Sequence, residues 1–404
     1  MNKNGLALAA DSAVTLGAKQ KVYHSAEKLF RLSDTEPVAI MTYGSAQLMG
    51  VPWETIIKTY RRKVGPRRFD HLDQYAEDFL RHLESSNPLF SDTAQLDSLR
   101  EHAKSYWKIE FLRNIWKEFG EDTHSWPEAA WANLSGKLKD DRVAWDRYQD
   151  LSSVGPGFGN HVLATYQPVL SELEAVLFNE VRLPTGISSG LQHAIGMMYQ
   201  RDWFCSGCEC GIVIAGFGEQ EPFPRVVNFT MDAIVAGRLR YKKSGEGQVT
   251  RDDDAHVMPF AQRQMVDLFY SGVFPSVQEQ MAEILLGVLN EEGDPAITEE
   301  NTAAVATVKK FMERFMDQTR EAYTSPLIEA VGALPMNELC GLAETLVSLT
   351  AFRARMSVDE AETVGGEIDV AAISKGDGFV WVQRKDLVGG RRARGRVAFL
   401  DSGC

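Results

Sequence analysis

Strand-like sequence occurs in three widely separated stretches: residues 5–44, 210–260 and the two runs GGEIDVAAIS and GFVWVQRK near the C-terminal end. Between them lie long runs in which apolar residues recur every three or four positions, the signature of helices with one buried face. None of the β stretches is large enough to bury a core alone, because a few strands need further strands or helices to cover their apolar face. The economical architecture is therefore one α+β unit, a β core assembled from three distant segments with helices packed on it. This reading divides the chain into 1–65 (first β segment and a helix), 66–203 (helical insertion), 204–262 (central strands), 263–335 (second helical insertion), 336–390 (long helix and last hairpin) and 391–404 (basic tail).

Local patterns support that outline. Asn2-Lys3-Asn4-Gly5 has the composition of a tight turn, and Asn-Gly beside alternating apolar residues signals a hairpin. Leu6, Leu8 and Ala10 face one way along the strand that follows, Ala7 and Ala9 the other. A hairpin needs two strands, and the expectation is that a strand of about six residues, the usual length, precedes Met1 in the natural protein. The apolar run PVAIMTYG (37–44) ends in glycine, and Pro52-Trp53 opens a helix whose Ile56, Ile57 and Tyr60 share one face. Lys375-Gly376-Asp377-Gly378 joins the last two strands as a hairpin turn.

A formal charge of -13 argues against non-specific binding to nucleic acid or to an anionic membrane. No apolar run approaches the roughly 18 residues of a spanning helix, and the opening residues do not read as a charged-then-apolar leader, so a cytosolic protein is expected. Of five cysteines, three form Cys205-Ser-Gly-Cys208-Glu-Cys210. A structural zinc site wants four ligands, no second half-site is visible, and small residues packing at a strand entrance is the simpler reading; no metal is expected. Gly186-Ile187-Ser188-Ser189-Gly190 fits the G-x-S-x-G pattern but follows no strand, so it reads as a helix start rather than a nucleophile elbow. GPGFGN (155–160) lacks the Lys-Ser/Thr of a phosphate loop and reads as a turn before a helix. Asp252-Asp253-Asp254 reads as a solvated turn, and the arginines at 391–396 as a basic tail.

The stretch GLALAADSAVTLG, with Asp11, Ser12, Thr15 and Gly17, followed by Lys28, resembles the start of a proteasome β-subunit. The resemblance continues at MTYGSAQ (41–47), with Gly44 and Ala46, then at GIVIAGFGEQEPFPRVVNFTMD, and closes with VGGEIDVAAISKGDGFVWV. Together these blocks cover roughly 170 of the 404 residues, in the family's order. The resemblance implies a four-layer αββα sandwich of the N-terminal-nucleophile (Ntn) hydrolases, carrying two large helical insertions. It also implies a threonine-type amide or peptide hydrolase that uses no cofactor and assembles as a homo-oligomer. Asp11 and Lys28 would form an ion pair beside the nucleophile. Gly44 would donate its N–H to the oxyanion, and Thr15 and Ala46 would offer backbone groups to an extended substrate. Ser12, Gly365 and Glu362 would support them.

The chemistry behind these roles is simple. An α-amine titrates near about 8 and can act as base for its own threonine hydroxyl. A neighbouring ammonium disfavours protonation of that amine, and a backbone N–H aimed at an oxyanion is worth a few kcal/mol. An extended peptide beside Thr15 and Ala46 would pair by strand addition. This sequence departs from the family in three places. Val364 stands where the family has Ser, and the family's Asp falls on Ala361, leaving Glu362 or Asp359 as substitutes. AHVMPFAQ (255–262) replaces a Gly-Ser-Gly loop. The nucleophile itself would lie upstream of Met1. The rival expectation is a non-catalytic assembly subunit with the same fold.

Overall fold

The computed structural model describes residues 1–16, 21–23, 26–84, 88–205, 207–291, 302–356 and 365–385. The first β segment contains β1 (Leu6–Asp11), β2 (Val14–Leu16), β3 (Lys21–Tyr23), β4 (Leu29–Arg31), β5 (Val38–Gly44) and the two-residue β6 (Gln47–Leu48) and β7 (Val51–Pro52). Helices α1 (Trp53–Val64) and α2 (Leu72–Glu84) follow. The long helical stretch continues with α3 (Asp92–Tyr106), α4 (Arg113–Phe119), α5 (Glu128–Ala144), α6 (Phe158–Leu177) and α7 (Ile187–Gln200). Strands β8 (Cys210–Gly216), β9 (Arg225–Val235) and β10 (Arg238–Gln248) make the central block. Then come α8 (Gln264–Ser271), α9 (Pro275–Glu291), α10 (Thr302–Thr319), α11 (Ser325–Ala333) and α12 (Met336–Met356). The described chain closes with β11 (Ile368–Ser374) and β12 (Gly378–Gln383).

The strands sort into two main antiparallel sheets that ignore chain order. One runs β10-β9-β8-β5-β4 and the other β1-β11-β12. Each sheet therefore joins strands from distant parts of the sequence, with Val38 opposite Gly216 in one and Leu6 opposite Ile373 in the other. Period-two alternation explains how the sheets meet. Leu6, Leu8 and Ala10 of β1, with Ala371 and Ile373 of β11, pack against Ala39, Met41, Val213 and Ala215 of the larger sheet. The opposite face of the small sheet presents Ala7, Ala9, Val370 and Ala372 to Met336 and Cys340 of α12. On the larger sheet, Ile40, Ile212, Ile214 and Val227 turn away from the small sheet, toward Trp53, Ile56, Ile57 and Tyr60 of α1 and Tyr75 and Phe79 of α2. Both sheets are thus buried on two faces.

Two details differ from the sequence reading. The opening turn closes Asn2 onto Gly5 (N···O 2.9 and 3.1 Å), which puts Lys3-Asn4, not Asn4-Gly5, at its tip. The cause is the fully buried Asn2 side chain, which donates to the Val331 and Leu334 carbonyls at 2.9 and 2.8 Å and accepts from the Asn4 amide. The helical stretch that begins at residue 66 also divides in two. Helix α2 lies on the sheet beside α1, whereas α3–α7 gather around their own apolar cluster, with Trp107, Leu134, Leu170 and Leu191 all buried. That cluster reaches the β core at Val235. A buried ion pair reinforces the junction: Arg240 contacts Asp232 at 2.6 Å and also donates to the Arg201 and Trp203 carbonyls. The β9–β10 hairpin turns through Ala236 and Gly237 with φ of 48° and 75°, the two positive values of a hairpin whose twist matches its strands.

Candidate active site

Asp11 is the last residue of β1, where the chain leaves the sheet. Three donors converge on its carboxylate: Lys28 Nζ at 2.7 Å on Oδ1, and the amides of Ala13 (3.2 Å) and Gly365 (3.0 Å) on Oδ2. Both side chains of the ion pair are largely shielded, 20% exposed for Lys28 and 13% for Asp11. Lys28 immediately precedes β4, and its carbonyl accepts from the Thr42 amide of β5 at 2.8 Å.

The stretch carrying Lys28 is held from both sides. The Ala26 amide donates to the Ser12 carbonyl at 3.1 Å, and Lys385 Nζ donates to the Ala26 carbonyl. Glu27, whose side chain is 4% exposed, pairs with Arg384 and with Lys58 (3.6 Å). Lys385 is itself fixed by a buried ion pair with Asp369 of β11 at 3.0 Å.

Gly44 ends β5. Amides two residues apart on a strand point to the same side, so the Gly44 N–H opens toward the edge at which the Thr42 N–H meets Lys28. Its φ of +74° turns the chain out of the sheet. A Cβ placed there would lie 2.8 Å from the Glu209 carbonyl oxygen, which already accepts from the Ser45 amide at 3.0 Å. Glycine is required on both counts. Gly44→Ala should cost about 1–3 kcal/mol through strain at this corner, measured as a lower urea midpoint with an unchanged slope.

Asp11, Lys28, Gly44 and Ala46 line one cavity of about 630 Å³. Its remaining walls come from Ala7–Ala10 of β1, the segment 256–262, and Leu339, Leu342 and Leu346 of α12. The mixture of one ion pair, a turned-out backbone and an apolar wall is that of a site for a small extended ligand. One wall is an open strand edge. Among the described residues β1 pairs only with β11. The Gly5 amide donates back to Asn2, away from β11, so alternation turns the main-chain groups of Ala7 and Ala9 toward that same open side.

The other expected site residues are placed as follows. Ser12 is fully buried, and its Oγ has no hydrogen-bond partner among the described residues. Thr15 lies on β2 opposite Val22 of β3. Ala46 accepts from the Trp53 amide at 3.2 Å. Gly365 reaches Asp11 through its amide, whereas Glu362 lies outside the described residues, as do Ala361 and Val364. Sequence reasoning missed Glu209, which backs Gly44, and the Asp369–Lys385 pair behind Lys28. Lys385, charged at the end of an alternating apolar strand, was the available signal for the second. The segment 255–262, noted only as a departure, supplies a wall through residues 256–262.

The remaining motifs fall to structural roles. Gly186 is the N-cap of α7 with φ 90°, and Ser188 donates to Glu174 at 2.6 Å. Gly157 likewise caps α6. Among the described residues no three His, Cys, Asp or Glu side chains are grouped so as to hold a metal ion, and no helix is long and apolar enough to cross a membrane. No protein-family model matches the chain, and no curated protein matches it by sequence.

Proposed function

We propose that the chain is an Ntn amide or peptide hydrolase of proteasome β-like type, built as a four-layer αββα sandwich, and that the cavity at Asp11 is its active site. The observation that carries this reading is the shielded Asp11–Lys28 ion pair at 2.7 Å, at the end of an open-edged strand and lining the same cavity as Gly44. The order of helix, two sheets and helices on the far face supports the sandwich.

In this reading the nucleophile is a threonine that opens a strand preceding Met1 and lying along Ala7 and Ala9. The Asn2–Gly5 hairpin sets the register, and a strand of about six residues, roughly 20 Å long, reaches the level of Asp11. The threonine hydroxyl attacks the scissile carbonyl while its own α-amine accepts the proton. Lys28, held by Asp11, keeps that amine from being protonated beforehand. The Gly44 N–H receives the charge developing on the carbonyl oxygen. The amine then passes its proton to the leaving nitrogen, and water hydrolyses the ester that remains.

The test is to express the reading frame with its upstream codons, determine the mature N-terminal residue by intact mass, and assay fluorogenic peptide amides with and without a peptide boronate. The expected result is an N-terminal Thr about six residues ahead of Met1, boronate-sensitive hydrolysis and loss of both on Thr→Ala. A mature chain with no Thr, Ser or Cys at that spacing would overturn the reading and leave a non-catalytic assembly subunit.

A further inference from the structure

The loop entering β8 carries a second chemical group beside the cavity. The Cys208 and Glu209 amides both donate to the Cys205 carbonyl, at 3.0 and 3.2 Å, the bonds of a turn that brings Cys208 back to Cys205. Such a turn holds its first and fourth Cα atoms within about 7 Å, which overlaps the spacing of about 4.4–6.8 Å that a disulfide requires. Both side chains are partly exposed, and they share a thiol–thiol hydrogen bond. His102 of α3, more than a hundred positions away in sequence, stands beside Cys208 and favours its thiolate. Cys210 is excluded from this pair: it is buried, and its thiol donates to the Met231 carbonyl at 3.2 Å.

We propose that Cys205 and Cys208 are a redox-modified dithiol, closed to an intramolecular disulfide by a small-molecule disulfide of the glutathione class. The closure is transmitted to Gly44 through the intervening Glu209.

The two sulfurs are unequal. Hydrogen bonds from Cys205 and then His102 hold the Cys208 thiol well below its ordinary range, whereas donating to Cys208, and then burial, push Cys205 up. Cys208 is therefore the attacking thiolate and Cys205 the resolving thiol. The Cys208 sulfur displaces one thiolate from the small disulfide and forms a mixed disulfide. Cys205, giving its proton to that released thiolate, attacks the Cys208 sulfur and expels the second. Two cysteines are oxidised and one disulfide is reduced to two thiols. The consequence at the cavity follows from connectivity. Glu209 is adjacent to Cys208, its carbonyl accepts the Ser45 amide, and a Cβ at Gly44 would meet that same oxygen at 2.8 Å. The proposal does not depend on the hydrolase reading.

The full chain is equilibrated with glutathione and glutathione disulfide, quenched, alkylated with N-ethylmaleimide and mapped by peptide mass. The expected result is a Cys205–Cys208 link that dithiothreitol reverses, stalling in C205S as a glutathione adduct on Cys208. Exchange of the Ser45 amide should become about 2- to 10-fold faster on oxidation, the effect of weakening one backbone hydrogen bond. The mapping on the unmodified chain stands whether or not a variant folds. No link at excess glutathione disulfide, a link to Cys210 or Cys340, or a retained metal ion in the native mass spectrum overturns the dithiol. Unchanged Ser45 exchange overturns the coupling to Gly44.

Discussion

Lys28→Met should abolish most amide hydrolysis, by about 10²–10⁴-fold in kcat/KM, the usual contribution of a positioned acid–base group. The ammonium sits 2.7 Å from Asp11 in the wall of the cavity, and methionine keeps the length of the chain while removing its charge. On the proposed mechanism the loss comes from an α-amine that is protonated when it is needed as base. The pH–rate profile of the variant should therefore shift its ascending limb upward. Thermal stability should change by no more than about 1 kcal/mol, since an ion pair that keeps some contact with solvent contributes little. A purely structural pair would give the reverse pattern, a lowered melting temperature with turnover intact. That pattern, found in both Lys28→Met and Asp11→Asn, would remove the catalytic role.

Asp369→Ala should destabilise the fold by about 3–5 kcal/mol, the cost of leaving an uncompensated charge in the interior. Asp369 is 1% exposed, and its carboxylate takes both the Lys385 ammonium (3.0 Å) and the Lys385 amide (2.8 Å). No other carboxylate among the described residues pairs with that ammonium, which also donates to Ala26. Urea unfolding measures the loss directly. The double variant Asp369→Ala/Lys385→Met should recover much of it, because removing both side chains leaves no charge buried unpaired. Ala26 lies two residues before Lys28, so the single variant should lose turnover at temperatures where it is still folded. Stability equal to wild type would show that Lys385 finds water when its partner is removed.

The β segments were legible because alternation and apolar runs are local properties. Leu6–Ala10 and Val38–Gly44 declare their buried faces within six or seven residues, and both form strands where the pattern puts them. The turn at Lys375–Gly378 was equally local. What could not be read was anything decided by a partner far along the chain. Asn2 fixes the opening turn by bonding carbonyls at 331 and 334, and nothing near Asn2 hints at them. The placement of α2 on the sheet, apart from the helices after it, depends on contacts with β8 to β10, and its periodicity is that of any amphipathic helix. Cys205 and Cys208 read only as small residues at a strand entrance, because His102, their neighbour, comes from another block. At the candidate site, Asp11, Lys28 and Gly44 were named from a family pattern. The residues that hold them in place, Glu209, Asp369 and Lys385, were not.

The pairing of Leu6 with Ile373 has a temporal meaning as well as a spatial one. A ribosome adding about 5–20 residues per second needs roughly 20–70 s to make β11 after β1 has emerged. Throughout that interval β1 has no β11 to pair with, α12 does not yet exist, and the cavity lacks an entire wall. Contacts of such long sequence separation also form late because the loop entropy is lost before they return any energy. A nascent chain therefore exposes Asp11 and Lys28 long before it can enclose anything beside them. The cavity gains its α12 wall only with the last fifth of the polypeptide, so a half-made chain has no enclosed site at Asp11.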